Sequence, residues 1–176
     1  MDDAAKCQQM RERALKNPVT RFLLNALGKA GCTVDPVSFI ACEPCGADIG
    51  GGYRQGEGIV LCEDKLMDQE HTNLVLAHEL IHAFDDCRAK VDWDNCVHHA
   101  CSEIRAANLS GDCKWSQEFR RGYYFEFAKQ HQVCVRRRAL LSLAMNPSCP
   151  PEKAKEAVDK AWDVCFADTA PFDRVP

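Results

Sequence analysis

The sequence predicts an α+β fold, mainly helical, in which a single domain of 176 residues carries a small sheet beside one long helix and is stapled by disulfides. Three features lead there. Capped helical patterns cover most of the chain. Seven of the ten glycines (Gly31, Gly46, Gly50, Gly51, Gly52, Gly56 and Gly58) fall in one stretch, where irregular backbone and short strands are expected. Twelve cysteines are scattered from Cys7 to Cys165. With 46% apolar residues the chain is long enough to bury one core of ordinary size.

The elements follow in order. Residues 2–16 read as an amphipathic helix, and 18–30 as a second, with Asn17 as its cap, Pro18 in its first turn and Gly28 and Gly31 at its close. Val37 to Cys42 and Gly58 to Cys62 are the strand candidates, the latter (GIVLC) an apolar run just ahead of a helix. Asp68 is placed to cap a helix reaching about Asp86. Asp94 or Asn95 is placed to cap another reaching about Ala107, which Leu109-Ser110-Gly111 ends. Further helices are expected over 115–130, 131–145 and 151–166, broken at Asn146-Pro147 and reopened by Pro150-Pro151-Glu152.

A net charge of −4 and a pI near 5.9 exclude a general attraction to nucleic acid or to anionic membranes, so no nucleic-acid partner is expected. Arg136, Arg137 and Arg138 form the one basic cluster, which reads as a solvated helix face. Charge interrupts every apolar run well before a bilayer span, and MDDAAKCQQMRER shows no signal-peptide pattern, so a soluble or peripheral protein outside the conventional secretory route is expected. Cys42 and Cys45 make the one CxxC, and no second pair completes a zinc ribbon. The dispersed cysteines therefore read as disulfides between helices. In a eukaryotic chain without secretory entry, that points to the mitochondrial intermembrane space.

The stretch LVLAHELIHAFD, residues 74–85, sets His78, Glu79 and His82 inside an apolar helical run, where unpaired burial would cost several kcal/mol. Residues four apart share a helix face, so His78 and His82 present two imidazoles to one point, with Glu79 to the side. This is HExxH, the signature of zincin-like proteases. Zn2+ on such a pair activates a water and polarises the substrate carbonyl, and Glu79 is the expected catalytic base.

A catalytic zinc needs a third protein ligand. The metzincin pattern is excluded, because Arg88 stands where its histidine is required and Asp85 where its glycine is. Glu103 lies 21 residues beyond His82, near the separation in glutamate-ligand zinc proteases, within ACSEIRAA, whose Ile104, Ala106 and Ala107 suggest close packing. The plainer alternative is a surface glutamate paired with Arg105. Ala107 occupies the position where thermolysin-like enzymes carry a supporting aspartate, so support for Glu103 must come from elsewhere. His99, one turn earlier, is the rival ligand or a supporting partner; Asp85 could orient an imidazole, and Asp86 and Asp92 read as exposed turn residues. Tyr123, Tyr124 and His131 are candidates for stabilising the tetrahedral intermediate. GIVLC is the expected edge strand for an extended substrate, or else plain core. The aromatics of FRRGYYFEFA, residues 119–128, read more simply as the core face of a helix than as an apolar docking surface.

GGYRQGEGIVLC, HELIHAFDDCRAKVDW, ACSEIRAANLSGDC and CFADTAPFDRVP together resemble, over nearly the whole chain, the mitochondrial inner-membrane metalloproteases that mature subunit 6 of ATP synthase. The human member of that family is also described as a Ku-binding protein. The resemblance implies a disulfide-rich zinc endopeptidase of the intermembrane space, peripheral to the inner membrane, that removes the leader of an ATP synthase membrane subunit and assists assembly of the membrane sector. By resemblance His78 and His82 are ligands and Glu79 the base. A non-proteolytic assembly chaperone and a nuclear Ku-associated repair factor are the alternatives.

Overall fold

The computed structural model describes residues 2–46, 48–123 and 129–176. The chain forms two compact units, residues 1–89 and 90–176.

In the first unit, α1 (Asp3–Ala14) is capped by the Asp2 side chain and α2 (Pro18–Lys29) by Asn17, as the capping residues dictate. The strand expected from Val37 starts later. Asp35 accepts from the amides of Val37 and Ser38, and Pro36 fits the first turn, so α3 (Pro36–Phe39) precedes β1 (Ile40–Glu43). Two further strands follow, β2 (Gly51–Arg54), which the glycines conceal in the sequence, and β3 (Gly58–Cys62). The sheet order is β1-β3-β2, with β1 parallel and β2 antiparallel to β3. GIVLC is thus the central strand, not an edge. All five of its residues are buried, as a continuous apolar run flanked on both sides requires.

The long helix α4 (Gln69–Ala89) starts at Asp68, whose carboxylate accepts from the His71 amide at 2.8 Å. It packs against α1, α2, β2 and β3. Close approach to β2 depends on Gly51, where a Cβ would come within 2.6 Å of the Val60 carbonyl oxygen and 2.8 Å of the Val75 side chain. The disulfides Cys7–Cys42, Cys32–Cys87 and Cys45–Cys62 tie α1 to β1, the end of α4 to the segment after α2, and the β1–β2 loop to β3.

In the second unit, α5 (Cys96–Leu109) starts at Asn95, which accepts from the Val97 and His98 amides, and packs on α7 (Gln130–Leu143) and α8 (Pro151–Ala167). Alanines at 100, 107, 154, 157 and 161 let these helices approach closely around Ile104, Val135, Leu143 and Trp162. The helix expected over 115–130 ends early: α6 covers only Trp115–Arg120, and Gly122, at φ 86°, takes the left-handed conformation that closes it. Residues 124–128 of the FRRGYYFEFA stretch, Tyr124 among them, lie outside the described residues. Phe119 and Tyr123 are exposed, so these two aromatics do not form the core face expected of them. Cys96–Cys149, Cys101–Cys165 and Cys113–Cys134 complete the pairing, and no free cysteine remains.

Candidate active site

Helix α4 carries the motif. The rings of His78 and His82 meet edge to face with centroids 4.7 Å apart, as i and i+4 side chains on one face should. His82 is 4% exposed and Glu79 is 7% exposed, held among buried Leu76, Leu80 and Ile81. Among the described residues none hydrogen-bonds or ion-pairs with the Glu79 carboxylate, which leaves its oxygens available to a proton. Two imidazoles converging on one point are donors that fit a divalent metal, and the Glu79 carboxylate lies beside them.

Around the motif, Asp85 is buried and its Oδ1 accepts from Arg88 Nε at 3.3 Å. Asp86 is not the turn residue expected. It sits in the last turns of α4 and accepts from the Tyr53 hydroxyl and the Gln55 amide, each at 2.8 Å, which joins the helix to β2 and the turn beyond it. Burial, then the bond to Asp86, pushes the Tyr53 phenol well above its usual value, so it stays protonated as a donor. Asp92 is exposed.

In the second unit, Glu103 is 6% exposed on α5, between Ile104 and Ser102, and is no surface residue. Arg105, the partner the plainer alternative required, instead donates to the carbonyls of Asp168 and Ala170 and pairs with the Asp168 carboxylate at 2.8 Å, anchoring the C-terminal segment. His99 Nε2 lies 3.3 Å from Glu103 Oε1, and its Nδ1 lies 2.9 Å from Asn146 Nδ2, so both ring nitrogens are engaged. His131 is held by the Cys113 carbonyl at 3.0 Å and Asn108 Oδ1 at 2.7 Å. Asn108 is itself buried.

The arginine cluster is partly solvated, as expected, but each member is also paired. Arg136 pairs with Asp159 and covers the Trp162 ring, Arg137 pairs with Glu118 and covers the Tyr123 ring, and Arg138 pairs with Asp112. Burial raises the Glu118 carboxyl, but hydrogen bonds from Arg137, Gln130 and Arg121 outweigh it and hold the group below its usual range.

A helix presenting two imidazoles beside a small sheet, with a carboxylate that has no partner among the described residues, suits a hydrolase of the peptidase class. The chain belongs to the peptidase M76 family, whose model matches residues 5–173. It is 46% identical over 181 residues to the mitochondrial inner membrane protease ATP23 of Saccharomyces cerevisiae, covering 98% of this chain and 80% of that protein. It is 43% identical to the Schizosaccharomyces pombe protein of the same name, covering 96% and 92%, and 48% identical to the Xenopus laevis homologue, covering 97% and 74%. No solved structure matches the chain.

The sequence did not single out Asn146 as anything but a helix breaker, or Tyr53 and Gln55 as partners of Asp86. Asn146-Pro147 marks a turn, and nothing in that pattern says what the amide faces.

Proposed function

We propose that the chain is a zinc endopeptidase of the mitochondrial intermembrane space, peripheral to the inner membrane, whose 176 residues work as one metallopeptidase domain. Its proposed substrate is the precursor of an ATP synthase membrane subunit, from which it removes the leader and whose assembly into the membrane sector it assists. His78, His82 and Glu103 would hold the ion, with Glu79 as the base. The observation that carries the reading is the α4 arrangement, a close imidazole pair with a carboxylate one residue along that has no partner among the described residues. Membership of a peptidase family and relatives named mitochondrial inner membrane proteases support it. So does the pairing of all twelve cysteines, which suits an oxidising compartment. No helix among the described residues is long and apolar enough to cross a membrane.

Zinc, when bound, would polarise the scissile carbonyl and acidify a water. Glu79 takes that water's proton at a carboxylate oxygen and returns it to the leaving amine nitrogen. Its burial keeps bulk water from competing for the proton. Glu103 would be the third protein donor that a catalytic zinc takes.

The test is cleavage of a synthetic peptide spanning the leader junction of the subunit precursor by purified protein. Cleavage lost with a chelator and restored by zinc is expected. Cleavage indifferent to chelation overturns the metal, and no cleavage by the zinc-loaded protein overturns the substrate. A second reading, assembly without proteolysis, is favoured by the exposed, stacked rings of Trp115 and Phe119, a pair suited to an apolar client. Assembly preserved in Glu79→Gln would show that role to be separate.

A further inference from the structure

Glutamate is a long side chain whose last torsion is soft, so a carboxylate that must offer one oxygen to a metal needs its other contacts directed. The aspartate that could do this four residues later is absent, since that position is Ala107. Within the second unit the work falls to a chain of hydrogen bonds that starts 43 residues beyond Glu103, at Asn146.

The orientation of the Asn146 amide is fixed from both ends. Its Oδ1 accepts from the Ser148 backbone N–H at 2.9 Å, so Nδ2 faces the other way, where it donates to the Trp93 carbonyl at 2.9 Å. A flipped amide would set oxygen against that carbonyl and nitrogen against an N–H. The same Nδ2 lies 2.9 Å from His99 Nδ1. An amide nitrogen only donates, so Nδ1 must present its lone pair, and the neutral imidazole then carries its hydrogen on Nε2. Nε2 points at Glu103 Oε1, 3.3 Å away. Covalent and packing restraints hold the chain together. Cys96–Cys149 ties the first turn of α5 to the loop that holds Asn146, Cys149 N–H donates to the Asn146 carbonyl at 2.9 Å, and the Trp93 ring packs edge to face on His99 at 5.4 Å.

From this geometry, and resting on Glu103 as the third ligand, we propose that Asn146 and His99 are positioning residues: Asn146 locks His99 in the Nε2–H tautomer, and His99 donates to Glu103 and aims its carboxylate. The engagement of both ring nitrogens also removes His99 as the rival ligand.

Two measurements test this. Imidazole 15N NMR of the metal-free protein, with the His99 signals identified by their loss in His99→Phe, should show the Nε2–H tautomer in the wild type. Asn146→Asp, whose carboxylate can only accept, should put on Nδ1 the proton that the wild type lacks there. A wild-type Nδ1–H tautomer overturns the proposal without reference to any metal. Zinc affinity, by competition with a chelator, should fall about 10- to 100-fold in His99→Phe and Asn146→Asp. It should largely recover in His99→Gln, whose amide can accept from Asn146 and donate to Glu103. Wild-type affinity in both His99→Phe and Asn146→Asp, with Glu103→Ala strongly weakened, overturns the positioning role alone. Wild-type affinity in Glu103→Ala removes the ligand reading beneath it.

Discussion

The rings of His78 and His82 stand one turn apart on α4 with centroids 4.7 Å apart and planes at 81°, while Glu79, between them in sequence, has no partner among the described residues. A structural histidine pair would need no such carboxylate beside it. The division of labour between the three side chains can be separated by substitution.

Glu79→Gln is nearly isosteric and keeps the imidazole pair, but its amide cannot take a proton from water. The variant should bind zinc as the wild type does and lose peptide cleavage by at least about 100-fold, the lower end of what a positioned general base contributes. Peptide kinetics with metal content measured on the same sample check this, and retained cleavage would remove Glu79 as the base.

The six disulfides each close a loop within one unit. A native bridge in a small domain contributes about 2 to 5 kcal/mol, so full reduction should lower the melting temperature steeply or unfold the chain. Thermal unfolding with and without reductant measures this. Alkylation of the native protein should find no reactive thiol, and peptide mapping should return Cys32–Cys87 and Cys96–Cys149 among the pairs.

Glu118 is completely buried and accepts from Arg137 and Gln130 at 2.7 Å and from Arg121 at 3.1 Å. Its carboxyl is held below the ordinary value of 4.5, so the stabilisation it gives is fully present above about pH 4.5 and is lost as pH falls through the lower folded value. Urea unfolding between about pH 3 and 7 should show wild-type stability dropping in acid more steeply than that of Glu118→Gln. Glu118→Ala, which takes the carboxylate from Arg137 while Arg121 keeps Asp112, should cost about 3 kcal/mol at neutral pH.

Helices with polar caps were legible in the sequence because Asn17, Asp68 and Asn95 each satisfy amides locally, whatever the rest of the chain does. The HExxH geometry was legible for the same reason, since a helix alone sets the spacing of His78 and His82. Strand β2 was not, because GGYR has little strand propensity of its own and exists as a strand by pairing with β3 and by the room Gly51 gives α4. The central place of GIVLC was likewise a matter of which strands lie on either side of it, and periodicity cannot report that. The pairing of the arginine cluster was not legible because Asp159, Glu118 and Asp112, its carboxylates, come from elsewhere in the chain.

Zinc per chain, measured by elemental analysis of purified protein, tests the central claim most directly. The account predicts one zinc in the wild type and in Glu79→Gln, and zinc lost from His78→Ala, His82→Ala and Glu103→Ala alike, because two remaining protein ligands hold the ion too weakly. A wild-type chain that binds no zinc, or His78→Ala and His82→Ala that each retain a full equivalent, would contradict it.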